Sequence, residues 1–121
     1  MSHKILLVED EELLSTAFSL ILQKDGHEVK VASNGREALK IIPVFKPEVI
    51  FLDLLMPEMG GVEFLETYKP DTKQPPPIIV LSNLHDREVV EKVMQLGAKE
   101  YVVKSQITPS DMSQLADRAL A

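Results

Sequence analysis

Five short apolar runs, each followed by a stretch with helical spacing, constrain this chain more than any other feature. The runs are Lys4–Val8, Glu28–Ala32, Glu48–Leu52, Ile78–Leu81 and Tyr101–Val103. Each is short and bounded by polar or turn residues, as a buried strand is. Between the first two, Leu14, Ala17, Phe18, Ile21 and Leu22 line one face of a helix over residues 12–24, and Asp25-Gly26 ends it. Asn34 with Glu37 three residues later reads as a capping box opening a second helix, which Pro43 should end or kink early. Residues Val62–Tyr68 form a short third helix, and Arg87–Leu96 a fourth, with Val89, Val90, Val93 and Leu96 inward and Gly97 closing it. Thr108 as N-cap, Pro109 at the first helical position and Asp111 at the third start a last helix that runs to about Ala119. The four prolines of Pro70–Pro77 make that segment an extended connector. Strands separated by helices cannot pair as hairpins, so the expectation is an α/β domain with a parallel sheet and helices on both faces. A length of 121 residues suits one such domain, spanning 1–121, with no output domain.

In parallel sheets, sites lie at the carboxyl ends of the strands. Here the first strand leads into Glu9-Asp10, the third into Asp53, the fourth into Ser82 and the fifth into Lys104. Singly these have ordinary roles: Glu9–Glu12 as acids at a helix start, Asp53 as a turn residue, Ser82 as a cap, Lys104 as a surface lysine. Jointly they fall on one edge. Carboxylates crowded there repel, and one protonates unless a cation intervenes. A hard divalent ion with oxygen ligands relieves this, and carboxylates, water and phosphate are what Mg²⁺ prefers. Lys104 adds a fixed positive charge for a phosphoryl oxygen and Ser82 a hydroxyl. Asp53 is then a carboxylate nucleophile able to form an aspartyl-phosphate.

Several classes are excluded. Lys plus Arg minus Asp plus Glu is −6, which disfavours binding to nucleic acid or an anionic membrane. There is no cysteine, so disulfide scaffolds and thiolate sites are out. The longest apolar run is four residues, too short to span a membrane, and the N-terminus lacks a signal-peptide pattern. A cytoplasmic protein is expected. His3, His27 and His85 are scattered and read as surface residues, without metal-ligand spacing.

Four segments carry a family resemblance: Ile5-Leu6-Leu7-Val8-Glu9-Asp10, the run from Phe51 to Gly61, Ile79-Val80-Leu81-Ser82, and the run from Gly97 to Lys104. Together they resemble the receiver domain of two-component response regulators over essentially the whole chain. The resemblance implies a flavodoxin-like, doubly wound (βα)5 fold with strand order 2-1-3-4-5. It implies a phosphorylation-dependent signalling switch, with Asp53 as phosphoacceptor and a phosphohistidine on a histidine kinase or phosphotransfer protein as donor. It further implies Mg²⁺ held by Asp10, Asp53 and the backbone carbonyl of Leu55, with Glu9 acting through metal-bound water. By the same resemblance Ser82 is the hydroxyl that moves toward the phosphoryl group, Tyr101 the aromatic switch and Lys104 the phosphate-pairing lysine. Such a receiver catalyses its own phosphoryl transfer and signals to a downstream target or to an output domain outside this chain. Tyr101 has an ordinary reading too, as core packing in a short strand.

Ser105 stands where the family usually has proline after the lysine, a bond that is often cis there. Asn83 follows Ser82 where a smaller residue is usual, and could narrow access to the site. Pro43 and Pro75-Pro76-Pro77 are atypical but lie away from it. In the family the side chains two places after the phosphoacceptor and two places after the hydroxyl residue flank the attacking water. These are Leu55 and Leu84, which cannot orient water, so self-dephosphorylation should be slow; the ordinary alternative is that both leucines simply pack on neighbouring loops. Two rival readings differ in class. A Mg²⁺-dependent aspartyl-phosphate phosphatase of the haloacid dehalogenase type needs a second Asp two positions after the nucleophile, where this chain has Leu55. A phosphorylation-independent interaction module would keep the fold but not need the acids and lysine.

Overall fold

The computed structural model describes residues 2–84 and 86–121, so His85 falls outside it. The strands are β1 (Lys4–Val8), β2 (Glu28–Ala32), β3 (Val49–Asp53), β4 (Ile78–Ser82) and β5 (Glu100–Val103). The helices are α1 (Glu12–Lys24), α2 (Gly35–Phe45), α3 (Gly61–Thr67), α4 (Arg87–Gln95) and α5 (Asp111–Leu120), with a 3-10 turn at Lys104–Gln106. All four strand pairings are parallel. The strand order is β2-β1-β3-β4-β5, as the resemblance implied.

Alternation along the central strands builds a core on each face of the sheet. Leu6, Val8, Ile50, Leu52 and Val80 face one way, onto Ala38 of α2, Phe64 of α3 and Val93 of α4. Ile5, Leu7, Phe51, Ile79 and Leu81 face the other way, onto Phe18 and Leu22 of α1 and Met112 and Leu115 of α5. β3 and β4 are buried along their whole length, which is why they read as unbroken apolar runs. β2 lies at an edge, and its exposed Glu28 and Lys30 blunt that edge against pairing with another chain.

Three local expectations change. Pro43 does not end α2, which continues to Phe45. The final turn survives because Phe45 is buried and Lys46 N–H bonds to the Ile42 carbonyl at 2.9 Å, so packing outweighs the one ladder bond that proline removes. The last helix begins at Asp111 rather than Pro109. A turn precedes it, in which Asp111 N–H bonds to the Thr108 carbonyl at 3.0 Å while the Asp111 carboxylate accepts from Thr108 N–H at 2.8 Å. His27 is buried, not on the surface. Its Nδ1 accepts from His3 N–H at 3.2 Å, and the two rings stack 5.7 Å apart. The capping role of Asn34 holds, its Oδ1 accepting from Glu37 N–H at 2.9 Å. Glu37 turns to the Ser33 hydroxyl instead of closing the box.

Candidate functional site

Strand register sets the site. Val8 pairs with Leu52, so Glu9 and Asp53 leave the sheet side by side. Ser82 pairs with Val103, so Lys104 follows directly beside Ser82. Glu9, Asp53, Ser82 and Lys104 are all buried, although polar residues mostly sit outside. Asp10 is exposed at the rim.

The cation that intervenes between the acids in the folded chain is Lys104. Its Nζ donates to Glu9 Oε1 at 2.6 Å and to Asp53 Oδ2 at 3.2 Å, and lies 3.9 Å from Glu11 Oε1. The other Glu9 oxygen accepts from Glu11 N–H at 3.0 Å. Burial pushes the Glu9 carboxyl up, the Lys104 and Glu11 hydrogen bonds pull it down, and the Asp53 charge adds to the rise. Burial likewise pushes Asp53 up, against the Lys104 charge and the N–H groups of Leu55 and Leu54; the net shift is upward. Burial opposes the Lys104 ammonium, but the hydrogen bond to Glu9 and the Asp53 and Glu9 charges win, and its pKa is raised. Burial thus dominates the two carboxyl shifts, while the two neighbouring carboxylates dominate that of Lys104; two acids share one cation, leaving the cluster net negative.

Glu9, Asp10 and Asp53 each offer a carboxylate oxygen, and these atoms lie within 4.8 Å of one another. Three hard oxygen donors around residual negative charge fit a divalent ion such as Mg²⁺ and suit softer, thiolate-seeking metals poorly.

The loop after Asp53 is held by close backbone approach. Gly61 N–H donates to the Leu54 carbonyl at 3.0 Å. A Cβ on Gly61 would lie 2.6 Å from the Asp53 carbonyl oxygen and 2.9 Å from Leu54 Cα. Both are backbone atoms that cannot swing away. Gly61→Ala is therefore expected to destabilise the fold by about 1–3 kcal/mol, as overpacking does. Urea denaturation measures it, and an unchanged midpoint would contradict the close approach.

Ser82 Oγ accepts from Leu84 N–H at 3.1 Å, and the Tyr101 hydroxyl donates to the Leu84 carbonyl. Burial raises the Tyr101 phenol, while a hydrogen bond with the Ser82 side chain opposes that rise. Ser82, Leu84 and Tyr101 thus form one polar connection from the sheet edge to β5. Tyr101 is only half-buried, and its hydroxyl is engaged at this edge rather than lost in a core. Leu55 lies beyond Asp53 and is 61% exposed.

Two features escaped the sequence reading. Lys104, expected to pair with phosphate, also bridges Glu9 and Asp53. Asn83 does not simply obstruct the site; its Oδ1 accepts from Ser105 N–H at 2.8 Å. The Lys104–Ser105 bond is trans, the described residues containing no cis peptide. The signal was Ser105 itself, which restores an N–H that proline would lack.

Comparison with known proteins agrees with this geometry. The family profile of the response regulator receiver domain matches residues 5–117. Transcriptional regulatory protein CrdR of Helicobacter pylori is 34% identical over 118 residues, covering 98% of this chain and 54% of that protein. Chemotaxis protein CheY of Thermotoga maritima is 34% identical over 106 residues, covering 86% of this chain and 87% of that protein. The chain thus spans about half of the first relative and nearly all of the second. Among solved structures, chemotaxis response regulator CheY4 of Vibrio cholerae superposes with a TM-score of 0.88 at 30% identity, covering 99% of this chain and 100% of that one. With sheet order, sequence match and superposition in accord, this chain belongs to the receiver-domain family of two-component response regulators.

Proposed function

We propose that this chain is a phosphorylation-dependent switch in which Asp53 accepts a phosphoryl group from a phosphohistidine on a histidine kinase or phosphotransfer protein. The observation that carries the reading is the buried Lys104 ammonium bridging Glu9 and Asp53 beside a cluster of oxygen donors. In the transfer an Asp53 carboxylate oxygen attacks phosphorus. An O–P bond forms as the P–N bond to the donor imidazole breaks, and the imidazole leaves with that electron pair. Lys104 favours the carboxylate form of Asp53 and then pairs with a phosphoryl oxygen. The Ser82 hydroxyl now accepts from Leu84 N–H and keeps its own proton free to donate. Glu9, Asp10 and Asp53, with the Leu55 carbonyl, would hold Mg²⁺, which supplies positive charge for the oxygens of the transferring group.

Output follows from the Ser82–Leu84–Tyr101 connection. Drawing the Ser82 hydroxyl to a phosphoryl oxygen breaks its bond to Leu84 N–H and biases Tyr101, as a population shift between two arrangements. A downstream target protein, or an output domain elsewhere in a longer protein, would read the surface of α4, β5 and α5. Amide chemical shifts with a phosphoryl mimic are expected to change there, and changes confined to α1 and α2 would contradict this route. Among the described residues no helix is long and apolar enough to cross a membrane. A cytoplasmic setting fits the kinase partner.

The test is incubation with a small phosphodonor and Mg²⁺, followed by intact mass. The expected result is a gain of one phosphoryl group, absent without Mg²⁺ and absent in Asp53→Asn. No gain in the parent chain would favour a phosphorylation-independent module.

A further inference from the structure

Asn83 and Ser105, the two departures from the family pattern beside the site, touch each other. Asn83 Oδ1 accepts from Ser105 N–H at 2.8 Å although both residues are exposed and water could serve either group. Asn83 follows Ser82, and Ser105 follows Lys104, so the bond ties the residue after the hydroxyl to the residue after the ammonium. The first N–H groups of a helical turn have no partner within it. Ser105 is in that position, because Lys104 opens the 3-10 turn, whose internal bond runs from Ile107 N–H to the Lys104 carbonyl. Asn83 therefore caps this turn from the residue that follows β4. The peptide it holds is the one that leaves Lys104, so this bond anchors the backbone on one side of Lys104 while β5 anchors it on the other.

We infer that Asn83 is a positioning residue, whose bond to Ser105 N–H keeps the Lys104 ammonium aimed at Asp53 and at a set distance from the Ser82 hydroxyl. Asn83 acts through Lys104 and is not itself catalytic. The inference rests on the reading of Asp53 as phosphoacceptor. Proline at position 105 would abolish the donor, so the device depends on serine being there.

A double-mutant cycle tests it, using the parent chain, Asn83→Ala, Ser105→Pro and the double variant. Three readouts are taken: the maximal rate of phosphoryl uptake from a small phosphodonor, the affinity for Mg²⁺ alone, and the NMR resonance of the Lys104 ammonium. Asn83→Ala is expected to lower the maximal rate about tenfold, the value of one hydrogen bond used in positioning. Mg²⁺ affinity is expected to hold, because Glu9, Asp10 and Asp53 are untouched. The ammonium resonance is expected to shift. In the Ser105→Pro background, Asn83→Ala is expected to change neither rate nor resonance further. An Asn83→Ala rate equal to the parent's, or the same fall in both backgrounds, would overturn the inference. Should the parent chain take up no phosphoryl group, the phosphoacceptor reading fails instead. The resonance then decides the positioning role: a shift with Asn83→Ala in the serine background alone supports it, and any other pattern overturns it.

Discussion

The Leu55→Asn/Leu84→Glu variant is expected to lose its phosphoryl group on the order of 100-fold faster than the parent chain. Hydrolysis of an aspartyl-phosphate needs a water in line with the breaking O–P bond. Leu55 is 61% exposed beyond Asp53 and offers that water no hydrogen-bond partner. The Leu84 backbone is fixed at the site at both ends, its N–H on Ser82 Oγ and its carbonyl under the Tyr101 hydroxyl. That leaves its side chain as the variable part, and it too is apolar. An oriented water gains most of its advantage from geometry, where a misplacement of ~1 Å can cost ~100-fold. Polar side chains at these two positions would supply the missing orientation. The measurement is phosphate release from phosphorylated protein with Mg²⁺ present. Release no faster than the parent's would mean that the leucines do not shield the phosphoryl group.

Lys104→Met is expected to destabilise the fold by about 3–5 kcal/mol without Mg²⁺, as removing one partner of a buried pair does. Methionine fills similar space but leaves Glu9 and Asp53 buried without their shared cation. Addition of Mg²⁺ should restore part of the loss, since an ion that binds only the folded state stabilises it by mass action. The deficit also has a direction with pH. Glu9 and Asp53 already titrate above their ordinary range in the fold. Ionising them therefore disfavours folding; the cost is absent below their ordinary pKa and grows as pH rises through the raised values. Lys104 titrates with the same sign: while its partners stay ionised, its stabilisation is full below its ordinary pKa and lost as pH rises through the raised folded value. That stabilisation comes from ionised Glu9 and Asp53, so it also fades in acid as they protonate. Losing it should hurt most at neutral pH and least in acid. Thermal unfolding at both pH values, with and without Mg²⁺, measures this. A deficit that is the same at both, or one that Mg²⁺ leaves untouched, would contradict the shared-cation account.

Much of the fold was legible because its signals are local. β1, α1 and β2 have the limits that apolar spacing and Asp25-Gly26 set, and β3 and β4 stand out because burial on both faces leaves them apolar up to their last residues, Asp53 and Ser82. The misreadings came where tertiary contacts outweigh local rules. Pro43 is carried inside α2 by the buried Phe45, and the buried His27 ring nitrogen is satisfied by a backbone donor 24 residues away. At the site, topology alone brought Glu9, Asp53, Ser82 and Lys104 to one edge, because parallel strands end there together. What spacing could not show was side-chain pairing. Nothing local says that Lys104 would lie between two acids from β1 and β3, or that Asn83 would reach across to Ser105.

The most direct measurement locates the phosphoryl group. Protein treated with a small phosphodonor and Mg²⁺ is reduced with borohydride, which converts an aspartyl-phosphate to homoserine, and its peptides are sequenced. The account predicts homoserine at position 53 and nowhere else, with none in Asp53→Asn protein treated for the same time. Phosphate recovered on Ser82 or a histidine, with Asp53 unchanged, would contradict it.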